Sequence, residues 1–178
     1  QQEEWLPRVA TGKSILTVAW LEPERGYGPI GFQLLAQADG NGFKLTGAKR
    51  HVHFASAADR ILVLARTGKG EKDIDIFLVD PASAGVKLTQ MMSLAADTQY
   101  RLDLDGVHVP ASARIGGAGS GWTTWNEVMH DGIILAAAQA IGGADRALEI
   151  TVQYAKEREQ FDKPIGAFQA ISHYLADG

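Results

Sequence analysis

The 178-residue chain contains no cysteine, which excludes disulfides, thiolate metal ligation and a cysteine nucleophile together. It has no Lys/Arg run either. Its 17 basic residues are dispersed among 21 acidic ones, for a net charge of -4. No patch gathers the positive field that a phosphate backbone requires, so nucleic acid is not an expected partner. Long apolar runs are missing as well. The longest, near Ile133 to Ile141, has about half of the roughly 20 residues of a membrane span, and the first residues show no basic, apolar, small-residue leader pattern. Cytoplasmic is the expected location. What remains is an ordinary globular mix, 46% apolar and 21% charged, long enough to bury a sizeable core.

The pattern along the chain changes twice. Trp5, Leu6 and Val9 recur at helical spacing before a Thr11-Gly12 stop. From Ser14 to about Val109, short Val/Ile/Leu/Thr/Phe-rich segments alternate with Gly-containing turns. They predict strands at Ile15–Leu21, Phe32–Gln37, Phe43–Val52, Arg60–Arg66, Asp73–Asp80 and Tyr100–Val109, with Gly85–Leu88 as a possible seventh. Asn41-Gly42 is the strongest hairpin signal. With no helical pattern between the strands to serve as crossovers, an antiparallel barrel or sandwich is expected. Beyond the loop Gly116–Gly121, apolar residues at spacings of three and four from Trp122 through Leu148 mark one long helix to about Arg158, in phase across Gly142-Gly143. Another helix begins at Phe168 after Pro164. Such an apolar helical face without an antiparallel neighbour implies a piece of a larger protein, or docking onto another one.

Several local features read as plain structure. The Gly116–Gly121 loop lacks dinucleotide-binding spacing and a Lys-Ser/Thr pair, and reads as a flexible connection. His51 and His53, two apart on a strand, share a face at metal-ligand spacing, but only two ligands are visible, so surface histidines come first and a ligand-facing pair second. Asp73-Ile74-Asp75 and Asp103-Leu104-Asp105 read as the solvated face of strands. No Gly-x-Ser-x-Gly elbow supports a hydrolase triad. The run from Tyr154 to Pro164 is less easily dismissed: Arg158, Phe161 and Gln169 offer a phosphate-pairing guanidinium, an aromatic plate and a two-sided amide, a set able to hold a dinucleotide.

In this run the chain resembles the acyl-CoA dehydrogenase family. The family's Tyr-x-x-x-Arg-x-x-Phe-Gly-Lys-Pro-Ile, followed by Phe/His-Gln and Leu-Ala-Asp, is matched by Tyr154, Arg158, Phe161, Asp162-Lys163-Pro164-Ile165, Phe168-Gln169 and Leu175-Ala176-Asp177. Leu21-Glu22-Pro23-Glu24-Arg25-Gly26 resembles its Thr-Glu-Pro-x-x-Gly signature. Leu45-Thr46-Gly47-x-Lys49, Ala58 to Arg66, Trp5-Leu6-Pro7 and Val107-x-Val109-Pro110 extend the likeness over nearly the whole chain.

The resemblance implies an α+β fragment: an antiparallel β-barrel followed by helices of an incomplete four-helix bundle. Residues 1–13 would end an N-terminal helical domain, 14–115 form the middle barrel, and 116–178 begin the C-terminal bundle. It further implies FAD as cofactor, an acyl-CoA substrate, an electron-transfer flavoprotein as electron acceptor, and a homo- or hetero-tetramer. Carried over by position, Trp20, Leu21, Tyr27, His51 and His53 would meet the flavin, and Tyr27 and His130 the substrate. Arg158, Phe161 and Gln169 would reach the flavin of a neighbouring subunit. Leu21 replaces a threonine, His51 and His53 replace Trp-x-Ser/Thr, and His130 and Ile133 replace an acid and an arginine. No catalytic residue is expected within the chain: the glutamate base of some relatives aligns with Gly132, and Asp131 is about 100° away around the helix. The chain alone is therefore expected to be inactive. Three readings remain open, with an active dehydrogenase first, a non-catalytic partner subunit of a heteromeric dehydrogenase second, and a non-redox barrel module third.

Overall fold

A computed structural model describes residues 2–23, 25–95 and 97–178; Glu24 of the Leu21–Gly26 motif lies outside the described residues. Two compact units divide between Asn126 and Glu127. The first opens with helix α1 (Gln2–Ala10), whose Trp5 is buried with the guanidinium groups of Arg8 and Arg60 each 4.8 Å from its ring. Arg60 also pairs with Asp80 at 3.0 Å, so the helix is held to the sheet through one aromatic residue.

The strands are β1 (Leu16–Ala19), β2 (Leu35–Asp39), β3 (Gly42–His53), β4 (Arg60–Arg66), β5 (Ile74–Val79), β6 (Val86–Met91), β7 (Gln99–Pro110) and β8 (Arg114–Ile115). They form one sheet in the order β6-β7-β3-β2-β4-β5-β8, with β1 on β4. The sheet curls until Phe43 of β3 meets Phe77 of β5 at 4.9 Å between ring centroids. Leu45, Val52, Ile61, Val63, Phe77, Leu102, Leu104 and Val107 fill the enclosed space. Two register shifts between β3 and β7, at Leu45/Gly47 and Lys49/Val52, supply the bend.

The sheet is mostly antiparallel, as expected, with β1 and the first residue of β2 parallel to β4; the residues between β1 and β4, including the β2-β3 hairpin, provide the long return that parallel strands require. Three expectations need correction. The hairpin turns on Gly40-Asn41, not Asn41-Gly42: Asp39 pairs with Gly42, and only Gly40 (φ 58°) takes the positive φ wanted at the first turn position. The first two strands are shorter than expected. β2 starts only at Leu35 because the Glu22 carboxylate accepts the N–H groups of Gln33 and Leu34 at 2.9 Å, replacing a strand partner. Finally, Asp75 is not solvated. It is 1% exposed, accepting the Gly119 N–H at 2.6 Å with Arg114 at 3.7 Å. The Gly116–Gly121 loop thus spends that N–H on the protein's own carboxylate.

Helix α2 (Gly121–Glu157) starts in the first unit, enters the second at Glu127 and is unbroken at Gly142-Gly143. A side chain at Gly121 would lie 2.6 Å from the Ile74 carbonyl, so only glycine lets the helix start this close to β5. In the second unit, β9 (Glu159–Gln160) and β10 (Lys163–Pro164) form a small hairpin before α3 (Gln169–Asp177). Among the described residues, no helix is long and apolar enough to cross a membrane.

Candidate functional site

Within the first unit, Trp20 is the centre of an aromatic group, with ring centroids 6.0 Å from Tyr27 and 5.3 Å from Trp125. Trp125 is buried and Tyr27 is 73% exposed, so flat apolar surface runs from the interior to solvent. The β1-β4 ladder stops at Ala19 and Val63, which leaves the N–H groups of Trp20 and Leu21 beyond it. Their carbonyls are already committed, Trp20 to the Lys49 ammonium at 3.2 Å and Leu21 to the Arg50 N–H at 2.9 Å.

A buried ion pair sets this segment. Lys49 is 0% exposed and donates to Glu22 at 2.8 Å, with its ammonium 4.8 Å from the Phe32 ring. Burial drives its pKa down from 10.5 to about 8, against the raising effect of the Glu22 charge and hydrogen bond. Arg66 holds the same loop from the other side, donating to the carbonyls of Pro29 and Phe32 at 2.7 Å. Neither Arg66 nor the Glu22-Lys49 pair stands out as a site residue in the sequence, since the partners lie 27 and more positions apart.

His51 and His53 come together as their spacing suggests, though not on a regular strand. The bulge at Lys49/Val52 gives His51 a φ of 56°. Both rings are exposed, and both reach one polar chain: His51 Nδ1 is 2.7 Å from Gln99 Oε1, Gln99 Nε2 donates to Asp97 Oδ2 at 2.7 Å, and His53 Nδ1 is 2.8 Å from the same oxygen. The Ser93 hydroxyl and the Gln99 amide, with His53 nearby, hold the Asp97 carboxyl below its usual range. Thr17 Oγ1 donates to the His53 carbonyl at 2.7 Å. The histidine pair therefore lies along the strand beside the one leading to Trp20. Among the described residues no three His, Asp or Glu side chains gather as metal ligands.

In the second unit, Phe161 and Asp162 form the two-residue turn between β9 and β10, both with positive φ (55° and 61°). This is the conformation of a type I′ turn, which non-glycine residues adopt at a cost. Phe161 is held out at 87% exposure, 6.0 Å from Phe168, whose ring also receives the Lys163 ammonium at 4.3 Å. The Ile165 N–H donates to the Arg158 carbonyl at 2.8 Å and closes the base of the turn. Arg158 and Gln169 are exposed, and none of the ion pairs among the described residues includes Arg158. His130 lies on α2 in a stretch, residues 130–147, where every residue is exposed. Nothing in this unit brings His130 to Arg158. Asp tolerates a left-handed backbone better than alanine does, so Asp162→Ala is expected to destabilise the turn by about 1 kcal/mol. Faster hydrogen exchange at the Ile165 amide would report it; unchanged exchange would contradict it.

Comparison with known proteins fits this anatomy. Residues 17–107 match the family model described as "Acyl-CoA dehydrogenase, middle domain", and residues 119–178 match "Acyl-CoA dehydrogenase, C-terminal domain". The acyl-CoA dehydrogenase FadE27 of Mycobacterium tuberculosis is 36% identical over 99% of this chain and 44% of its own length. The caffeyl-CoA reductase-Etf complex subunit CarC of Acetobacterium woodii is 34% identical over 99% of this chain and 48% of its own. A glutaryl-CoA dehydrogenase from Mycobacterium smegmatis, solved in complex with FADH2, superposes with a TM-score of 0.85 at 33% identity, covering 99% of this chain and 45% of that one. The chain thus spans about half the length of the curated relatives it matches.

Proposed function

We propose, since the chain belongs to the acyl-CoA dehydrogenase family, that the protein carrying it is an FAD-dependent enzyme that dehydrogenates an acyl-CoA thioester between its α and β carbons. Residues 1–13 end its N-terminal helical domain, 14–115 form its middle barrel domain, and 116–178 begin its helical bundle. Its electrons pass to an electron-transfer flavoprotein, a reading supported by the Etf-complex relative. It works as a tetramer in the cytoplasm.

The side chains suit a flavin. An isoalloxazine is a flat apolar ring system with polar edges; Trp20, Tyr27 and Trp125 provide aromatic plates, and His51 and His53 provide exposed ring nitrogens. The pyrophosphate of a neighbouring subunit's flavin needs cations, and Arg158 is exposed without an ionic partner among the described residues, beside the outward-held Phe161. Gln169 adds an amide with both a donor and an acceptor. This hairpin is the strongest support: a non-glycine turn in a costly backbone conformation exposes an aromatic ring three residues after a guanidinium that has no ionic partner among the described residues. The bound flavin supplies the hydride acceptor. The chain's own part is to bind and orient, with Lys49 and Glu22 fixing the Trp20–Leu21 segment; Tyr27 and His130, each in its own unit, are the residues assigned to substrate binding. A proton acceptor must come from outside these residues, because Gly132 offers none and Asp131 points elsewhere on the helix.

The full-length protein is expected to purify yellow with one FAD per subunit and to oxidise acyl-CoA thioesters in the presence of an electron acceptor. Colourless protein that takes up no added FAD would refute this. Half stoichiometry, reached only with a second co-expressed chain, would point to the partner-subunit role instead.

A further inference from the structure

The polar chain at His51 and His53 has only one consistent arrangement of protons. Asp97, held ionised, can only accept hydrogen bonds. Two groups lie on its Oδ2, His53 Nδ1 at 2.8 Å and Gln99 Nε2 at 2.7 Å, and each must therefore donate. That fixes the Gln99 amide with its Oε1 toward His51 Nδ1, 2.7 Å away, and an amide oxygen also only accepts. His51 Nδ1 must then carry a proton too. One carboxylate thus dictates the tautomer of two imidazoles, the second through an amide. Neutral histidine in water favours the opposite tautomer, with the proton on Nε2, so the arrangement is imposed by the protein.

We propose that Asp97 and Gln99 are positioning residues which hold His51 and His53 as Nδ1–H tautomers, so that both exposed rings present Nε2 as an acceptor to a planar ligand bearing an N–H group. The isoalloxazine imide is such a group, and its identity as the ligand rests on the function proposed above; the tautomers do not. The surroundings agree with a ligand face. His51 and Phe54 both take positive φ (56° and 52°), strain that recurs where side chains are aimed at a ligand. Phe54 is exposed beside His53, 6.4 Å between rings. Gln99 is also the cross-strand partner of His53, so one residue of β7 ties the bulged end of β3 at backbone and side chain together.

Nitrogen-15 NMR of the histidine-labelled chain, in mildly alkaline buffer where histidine is neutral, distinguishes the tautomers directly. Both His51 and His53 are expected as Nδ1–H. Asp97→Ala is expected to release both rings to the Nε2–H form, because it also frees the Gln99 amide to rotate, whereas Gln99→Ala releases only His51. General destabilisation would not produce that asymmetry. Nε2–H tautomers in the parent chain, or tautomers unmoved by Asp97→Ala, would overturn the proposal. In the full-length protein, Asp97→Ala is expected to weaken FAD binding by about tenfold, read by fluorescence titration. Correct tautomers with unchanged affinity would reject the flavin as the ligand of these rings. Failure of the parent protein to bind FAD at all would instead refute the proposed function, while the NMR result stands separately.

Discussion

Lys49→Met is expected to destabilise the protein by about 3 kcal/mol, because it strips the buried Glu22 carboxylate and the Trp20 carbonyl of the hydrogen bonds that the Lys49 amine donates whether charged or neutral. The two backbone N–H groups of Gln33 and Leu34 still bond that carboxylate, which keeps the loss near the low end for a broken buried pair. Adding Glu22→Gln to this variant should recover stability, since the amide oxygen accepts the same N–H groups with no charge to desolvate. Urea denaturation of the single and double variants decides the matter, and a double variant less stable than the single one would contradict it. The pH dependence has a definite sign. Lys49 releases its proton at about 8 in the folded protein against 10.5 when unfolded, so between those values the unfolded chain holds more protons and stability rises with pH. The whole rise amounts to about 3 kcal/mol at most. It should disappear in Lys49→Met. Well below pH 8 this group contributes no slope, because both states are protonated there.

That residue also marks where the sequence stopped being legible. Elements were readable wherever apolar periodicity was long: β3, β4, β5 and β7 lie close to their expected ranges, and α2 crosses Gly142-Gly143 as its in-phase pattern requires. Boundaries failed where a side chain took the place of a strand neighbour. Glu22 ends the need for pairing at Gln33 and Leu34, and Asp75 turns inward because a loop 44 positions away brings an N–H to it. Alternation along a strand cannot reveal either event, since the partner is distant in the chain. The candidate site divided in the same way. His51 and His53 were visible from their spacing, but Asp97 and Gln99, which fix their geometry, lie 44 or more positions beyond them in a segment without a motif. Arg158, Phe161 and Gln169 fall within one short run. Their sequence proximity survives folding as a single hairpin and the helix after it.

The same hairpin yields a variant with a large effect on the cofactor and almost none on the fold. Arg158→Ala in the full-length protein is expected to weaken FAD binding by roughly 10- to 100-fold, the equivalent of losing a charge-assisted hydrogen bond of about 1.5–3 kcal/mol. Arg158 is exposed and takes part in none of the ion pairs among the described residues, so the stability of the chain itself should stay within about 0.5 kcal/mol of the parent. This separation is the informative part: an exposed guanidinium with no ionic partner among the described residues is available to a pyrophosphate. Arg158→Lys should restore part of the binding, since it keeps the charge but loses the two-pronged geometry. Flavin content of the purified variants and isothermal titration of the stripped proteins measure the effect. FAD retention unchanged by Arg158→Ala would remove the role assigned to this residue, and a matching loss of fold stability would reduce it to a structural one.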